Sequence, residues 1–168
     1  GINILDFQTM KFSHLKHISD DEQSLPNNSI YRLYKDQMDN IWIGSIHGGL
    51  FAIKKVFIKT YKDVPLNNPN GISERTVVSI FEDKDTLLWI GTDGGGINSF
   101  DQKTNTFHHY PTTYGEKVTS ITNFSENELL LSCFNKGVFT FNKRTAQMQP
   151  FPIINDSISK REFSSGDL

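Results

Sequence analysis

Five histidines and a scatter of carboxylates are the groups in this 168-residue chain whose types suit acid–base or metal chemistry: His14, His17, His47, His108 and His109. His108 and His109 are neighbours in a strand-like stretch, so their side chains point to opposite faces and cannot enter one site. The acidic stretches from Asp36 to Asn40 and from Asp83 to Asp85 have the look of calcium loops, but they lack the glycine and the distal bidentate glutamate that such loops use. The run Gly94-Gly95-Gly96 would cradle a phosphate only in front of a helix N-terminus, and a strand pattern follows it instead. That leaves His47, which in partnership with Asp93 or Glu116 could serve as acid and base in a glycan lyase or hydrolase. A nucleophile–base pair or paired carboxylates cannot be placed, so no catalytic residue, metal or cofactor is expected.

The elements that carry these residues recur. Trp42-Ile43-Gly44 followed by Gly48-Gly49 returns 47 residues later as Trp89-Ile90-Gly91 followed by Gly95-Gly96, and under the same shift Asp36 falls on Asp83, Tyr34 on Phe81 and Leu50 on Ile97. Shifting Gly96 by 41 residues lays it on Gly137 and gives a third copy, in which Leu130-Leu131-Ser132 replaces the tryptophan motif. A partial copy opens the chain, with Gly1 to Asp6 matching Gly96 to Asp101 and Phe12 matching Phe107. A period of about 40 to 50 residues made of short strands marks a β-propeller, one blade per period.

Turn residues divide each period into four strands. The expected strands are Val77 to Glu82, Leu88 to Thr92, Gly96 to Asp101 and Thr106 to Tyr110 in the best-defined blade. They are Ile30 to Lys35, Ile41 to Ser45, Gly49 to Ile53 and Phe57 to Tyr61 in the one before it. In the one after they are Lys117 to Asn123, Leu129 to Cys133, Gly137 to Asn142 and Gln147 to Phe151. The fold class is all-β, a partial β-propeller of about three and a half four-stranded antiparallel blades. Residues 1–15 supply the last two strands of a truncated blade, 16–61, 62–110 and 111–152 are full blades, and 153–168 are a tail or the start of another. Helical periodicity is absent. The blades are too few to close a ring, so this is either a fragment or one of two copies that complete each other. Trp42 and Trp89 share one mid-blade position, which assigns them to packing between blades.

In such a blade the connections between strands two and three lie on the same side as those leading into the next blade. That side collects His47, Asp93, Asn135 and Lys136 with Arg75 and Tyr114, the six residues expected to bind a ligand. Amides, charges and an aromatic ring suit a hydroxyl-rich molecule, and the same mixture describes an ordinary wet surface. His47 stands where the next repeat has Gly94, in a loop, where function concentrates.

Composition narrows the partners. A formal net charge of −2 with no basic block excludes the electrostatic footprint of a nucleic-acid or anionic-membrane binder. A single cysteine, Cys133, rules out an internal disulfide framework and reads as a buried packing residue. No apolar run approaches the roughly 20 residues that cross a bilayer. No signal peptide opens the chain, as expected of a sequence that starts in the middle of a repeat.

The pattern Tyr34-Lys35-Asp36, Ile41-Trp42-Ile43-Gly44-Ser45 and Gly48-Gly49-Leu50 closely resembles the two-component regulator propeller repeat. So do its copy from Phe81 to Asn98 and the outer segment from Phe100 to Phe107 with Tyr110 and Pro111. The resemblance spans residues 1–152 and weakens in the third copy. It implies a share of the periplasmic sensor region of a hybrid two-component histidine kinase of the Bacteroidetes, anchored in the inner membrane. In that family such regions, often two propellers of seven blades, are thought to recognise oligosaccharides and signal across the membrane without catalysis of their own. The kinase, phosphoacceptor and DNA-binding parts lie outside these residues. The resemblance names as partners an oligosaccharide and the remaining blades. The alternatives held beside it are a propeller lyase or hydrolase and a structural or dimerising module.

Overall fold

Alternation along each strand sends successive side chains to opposite neighbours. Leu88 and Ile90 join one core cluster with Trp42, whereas Trp89 between them joins another with Phe141. A strand patterned this way must lie in a sheet packed on both faces, and the chain builds a row of such sheets. The computed structural model describes residues 1–21, 24–54, 57–66 and 68–152. The expectation for the tail falls outside the described residues.

The first sheet is a hairpin of β1 (Ile2–Asp6) and β2 (Lys11–Leu15). The second holds β3 (Ile30–Lys35), β4 (Ile41–Ser45), β5 (Gly49–Lys54) and β6 (Phe57–Tyr61). The third holds β7 (Val77–Glu82), β8 (Leu87–Thr92), β9 (Ile97–Asp101) and β10 (Thr106–His109). The fourth holds β11 (Val118–Asn123), β12 (Glu128–Cys133), β13 (Gly137–Asn142) and β14 (Gln147–Pro150). Neighbouring strands within each sheet pair antiparallel. The leading strands β3, β7 and β11 pack side by side, which places the first strand of every full blade innermost. The described residues form a partial β-propeller of three full blades and a two-stranded one.

The strand boundaries expected from the sequence hold to within a residue or two. One element was not expected: a 3-10 turn, Pro111–Thr113, interrupts the connection into the fourth sheet. Proline at its start presets the backbone, and the Thr113 hydroxyl donates to the Tyr110 carbonyl and accepts the Ile97 N–H. Gly96 lies against this turn at φ +69°, where any Cβ would collide with Thr113.

Two side-chain devices repeat with the blades. At the outer hairpins Asp6, Asp101 and Asn142 each accept two backbone N–H bonds from the turn. The turn then closes through a positive-φ residue, Met10, Asn105 or Ala146. At the inner hairpins Asp36 and Asp83 accept backbone N–H groups through Oδ1 and the tryptophan indole N–H through Oδ2, at 2.7 Å for Trp42 and 2.9 Å for Trp89. The fourth sheet carries Phe124 and Leu130 at the two positions, so carboxylate and indole are lost together. A buried indole N–H needs an acceptor, and a buried carboxylate needs donors.

Trp42 and Trp89 pack between blades as expected. Trp42 meets Phe100 of the third sheet at 5.4 Å between ring centroids, and Trp89 meets Phe141 of the fourth at 5.9 Å. Buried Leu25 and Ile72 pin the connectors that enter the second and third sheets. Cys133 is buried, and loss of solvent pushes its thiol up to about 11, consistent with a packing role.

Candidate functional site

Backbone hydrogen bonds tie the loops of one side into a continuous surface. The Gly49 N–H donates to the Arg75 carbonyl, Asp93 to Thr76, Gly94 to Glu116 and Phe134 to Lys117. All six expected residues therefore sit on one side of the blades, as the strand order requires. They do not form one cluster. His47 and Arg75 mark the seam between the second and third sheets, while Asp93, Tyr114, Asn135 and Lys136 belong to the seam between the third and fourth.

His47 and Asn135 occupy equivalent loop positions, both exposed and both at positive φ, 60° and 58°. The His47 N–H reaches the Thr76 hydroxyl at 3.4 Å and its ring is free of hydrogen bonds to the described residues. The side chains of Arg75 and Asn135 likewise make no hydrogen bond or ion pair among the described residues. The charged residues are paired across the second seam: Lys117 Nζ lies 2.9 Å from Asp93 Oδ2, and Lys136 Nζ lies 2.6 Å from Glu116 Oε1. The hydrogen bond to Asp93 raises the Lys117 ammonium above its usual range, so it stays charged. Both carboxylates considered as partners for His47 are thus committed to lysines. Among the described residues, no three His, Cys, Asp or Glu side chains stand together as a metal site would require.

Tyr114 departs from expectation. The 3-10 turn folds it inward: the ring is half-buried, and its hydroxyl is buried with no hydrogen-bond partner among the described residues. Burial raises its pKa. The hydroxyl is not offered to a ligand, and Tyr114→Phe is expected to leave the melting temperature unchanged or to raise it, by up to about 1 kcal/mol of stability, since the variant removes an unsatisfied polar group. A clear drop on thermal denaturation would show that the hydroxyl is bonded in solution.

The aromatic ring on this surface is Phe134, 58% exposed, with the Lys117 ammonium 5.4 Å from its centroid. The sequence signal for it was a large apolar residue at a polar turn, next to Asn135. Other hollows share none of these residues. A cleft of about 660 Å³ opens between the first connector and the end of β6, lined by His17, Asp20, Asp21, Ser24 and Lys62 among others. A groove of about 180 Å³ runs along the innermost strands beside Arg32, Ser79, Thr119 and Ser120.

Residues 24–47 and 71–94 match the family model described as two component regulator propeller. Those two stretches are two-component regulator propeller repeats. Each matched segment runs from the end of a connector through the first two strands to the turn that holds His47 or Gly94, so the match and the geometry delimit the same unit. No curated protein matches the sequence.

Among solved structures, the extracellular domain of the hybrid two component system BT3049 from B. thetaiotaomicron superposes with a TM-score of 0.74 at 21% identity, over 85% of this chain and 21% of that one. Two structures of the extracellular domain of BT4673 from the same organism give TM-scores of 0.48 and 0.47 at 22% and 23% identity. Each covers 87% of this chain and 27% of its own. The BT3049 superposition carries the propeller fold. This chain spans about a fifth of that domain's length. Among the described residues no helix is long and apolar enough to cross a membrane.

Proposed function

We propose that these blades belong to the periplasmic ligand-sensing propeller of a hybrid two-component sensor histidine kinase held in the inner membrane, and that they contribute to oligosaccharide recognition without catalysis. The observation that carries this reading is the seam between the third and fourth sheets, where an exposed Phe134 ring is flanked by the Asp93–Lys117 and Glu116–Lys136 pairs and by unengaged Asn135. A sugar offers an apolar ring face and a rim of hydroxyls, which an aromatic platform and fixed charged pairs complement. Catalysis has less support, because the carboxylates nearest to hand are salt-bridged. The remaining blades of the parent protein are the natural neighbours of these repeats.

The test is thermal denaturation with a panel of plant and host oligosaccharides, since a ligand that binds only the folded chain raises the transition. One glycan class is expected to raise it, by about 2.7 kcal/mol of stability at a hundredfold excess over Kd. In Phe134→Ala the rise should vanish while the ligand-free transition stays within a degree or two. A rise that survives in Phe134→Ala would move the site off this seam.

A further inference from the structure

The seam that holds Phe134 is built on a backbone frame that the preceding seam, between the second and third sheets, shares. The Gly96 N–H donates to the Glu116 carbonyl as the Gly49 N–H donates to that of Arg75. In that alignment Asp93, Glu116 and Lys117 stand where the preceding seam has Ile46, Arg75 and Thr76. Among the described residues no ion pair spans the preceding seam, whereas here Asp93–Lys117 closes at 2.9 Å and Glu116–Lys136 at 2.6 Å. The packing of blades does not require these pairs.

The pairs stand on fixed backbone beside the ring. Asp93 and Lys117 are partners in an antiparallel bridge between the two sheets, and the Phe134 N–H donates to the Lys117 carbonyl. Carboxylate, ammonium and ring therefore form one row, with the Lys117 ammonium over the Phe134 ring. Two ammoniums face three carboxylates here, since half-buried Glu74, packed against Gly95, joins Asp93 and Glu116.

That balance limits what the row can bind. A uronate or sulfate would have to take an ammonium from its partner. Drawing Lys136 away leaves Glu116, whose side chain is only 12% exposed, as an uncompensated carboxylate beside a second anion. Stranding a largely buried charge costs more than one ion pair at a wet surface returns. An uncharged sugar leaves both pairs closed. Of two neighbouring hydroxyls, one accepts from the ammonium and the other donates to the carboxylate, while the apolar face of the sugar stacks on Phe134.

We infer, on the basis of the sensing role proposed above for this seam, that it selects uncharged oligosaccharides and rejects uronic-acid or sulfated ones, with Asp93 and Glu116 setting the choice.

The test is calorimetric titration of the full chain with neutral and acidic fragments of matched length: arabinan, galactan, xylan and mannan against oligogalacturonate, chondroitin sulfate and heparin. At least one neutral fragment is expected to bind about tenfold or more tighter than every acidic one. Its Kd should change by less than about twofold between about 0.05 and 0.5 M NaCl, because no ion pair forms on binding. In Asp93→Asn/Glu116→Gln both lysines are released, so acidic fragments should gain about tenfold in affinity and neutral ones lose about as much. Both changes keep the shape of the side chain, and an unchanged ligand-free melting transition certifies the fold. The comparison on the parent chain and its salt dependence decide the matter even where that variant does not fold. An acidic fragment that binds as tightly as the neutral ones and is lost in Phe134→Ala would overturn the inference while leaving the seam as the sensing site. So would a folded double variant with no gain for acidic fragments. Absence of binding by every fragment, or binding untouched by Phe134→Ala, would overturn the sensing role of the seam and the inference with it.

Discussion

Trp89→Ala is expected to destabilise the chain by about 3–5 kcal/mol, the range for deleting a fully buried tryptophan. The ring is 1% exposed and stands between two blades, stacked on Tyr110 at 5.4 Å and edge-on to Phe141 at 5.9 Å. Its removal opens a cavity in the packing between adjacent blades, and flanking Leu88 and Ile90 face the other way and cannot close it. A substantial part of typical domain stability would be lost. Urea denaturation followed by fluorescence of the remaining Trp42 checks this, and a midpoint within experimental error of the parent would contradict it.

Asp83→Ala is expected to cost about 3–4 kcal/mol, because it strands a buried indole N–H and removes the partner of Lys143. Asp83 is 3% exposed, and besides Trp89 its Oδ2 accepts Lys143 Nζ of the fourth sheet at 3.1 Å, joining two blades. The pair should behave as a unit. Combining Asp83→Ala with Trp89→Leu, which copies the fourth sheet's lack of both groups, should cost less than the two single changes added, by about 1–3 kcal/mol of coupling. Strict additivity in a double-mutant cycle would show that the indole bond contributes nothing.

The same carboxylate gives the fold an acid sensitivity of defined sign. Burial alone would raise the Asp83 carboxyl, but the bonds from Trp89 and Lys143 outweigh it and hold the group below its usual value of 3.8. Its stabilising share is therefore complete above the unfolded value and is lost as pH falls through the folded one. The urea midpoint should fall progressively as pH is lowered below about 5, and should fall less in Asp83→Asn.

Much of the blade architecture was legible in the residues because it repeats. Period-2 alternation and turn chemistry locate the strands, and the identical placing of Trp42 and Trp89 marks interblade packing. Strand order alone sorted His47, Arg75, Asp93, Tyr114, Asn135 and Lys136 onto one side. Which of them stay available was not legible, since that depends on partners brought by neighbouring blades: Lys117 takes up Asp93, Glu116 takes up Lys136, and the Pro111–Thr113 turn buries the Tyr114 hydroxyl. Phe134 reads in the sequence as one turn residue among others. The Asp83–Trp89 bond was half-visible, as a six-residue spacing shared with Asp36 and Trp42. The pairing of Asn98 and His109, which hold Ser73 and Gly71 of the connector into their own blade, was not legible, because it rests on cross-strand register and on a connector with no strand pattern of its own.

Backbone NMR of the isotopically labelled chain, titrated with the oligosaccharide that raises its melting transition, tests the central claim most directly. Binding at the proposed seam predicts that the shifted resonances cluster in residues 92–96, 114–117 and 133–137, with Phe134 and Asn135 moving most. Shifts confined to the cleft beside His17 and Lys62, or to the groove along the innermost strands, would contradict it.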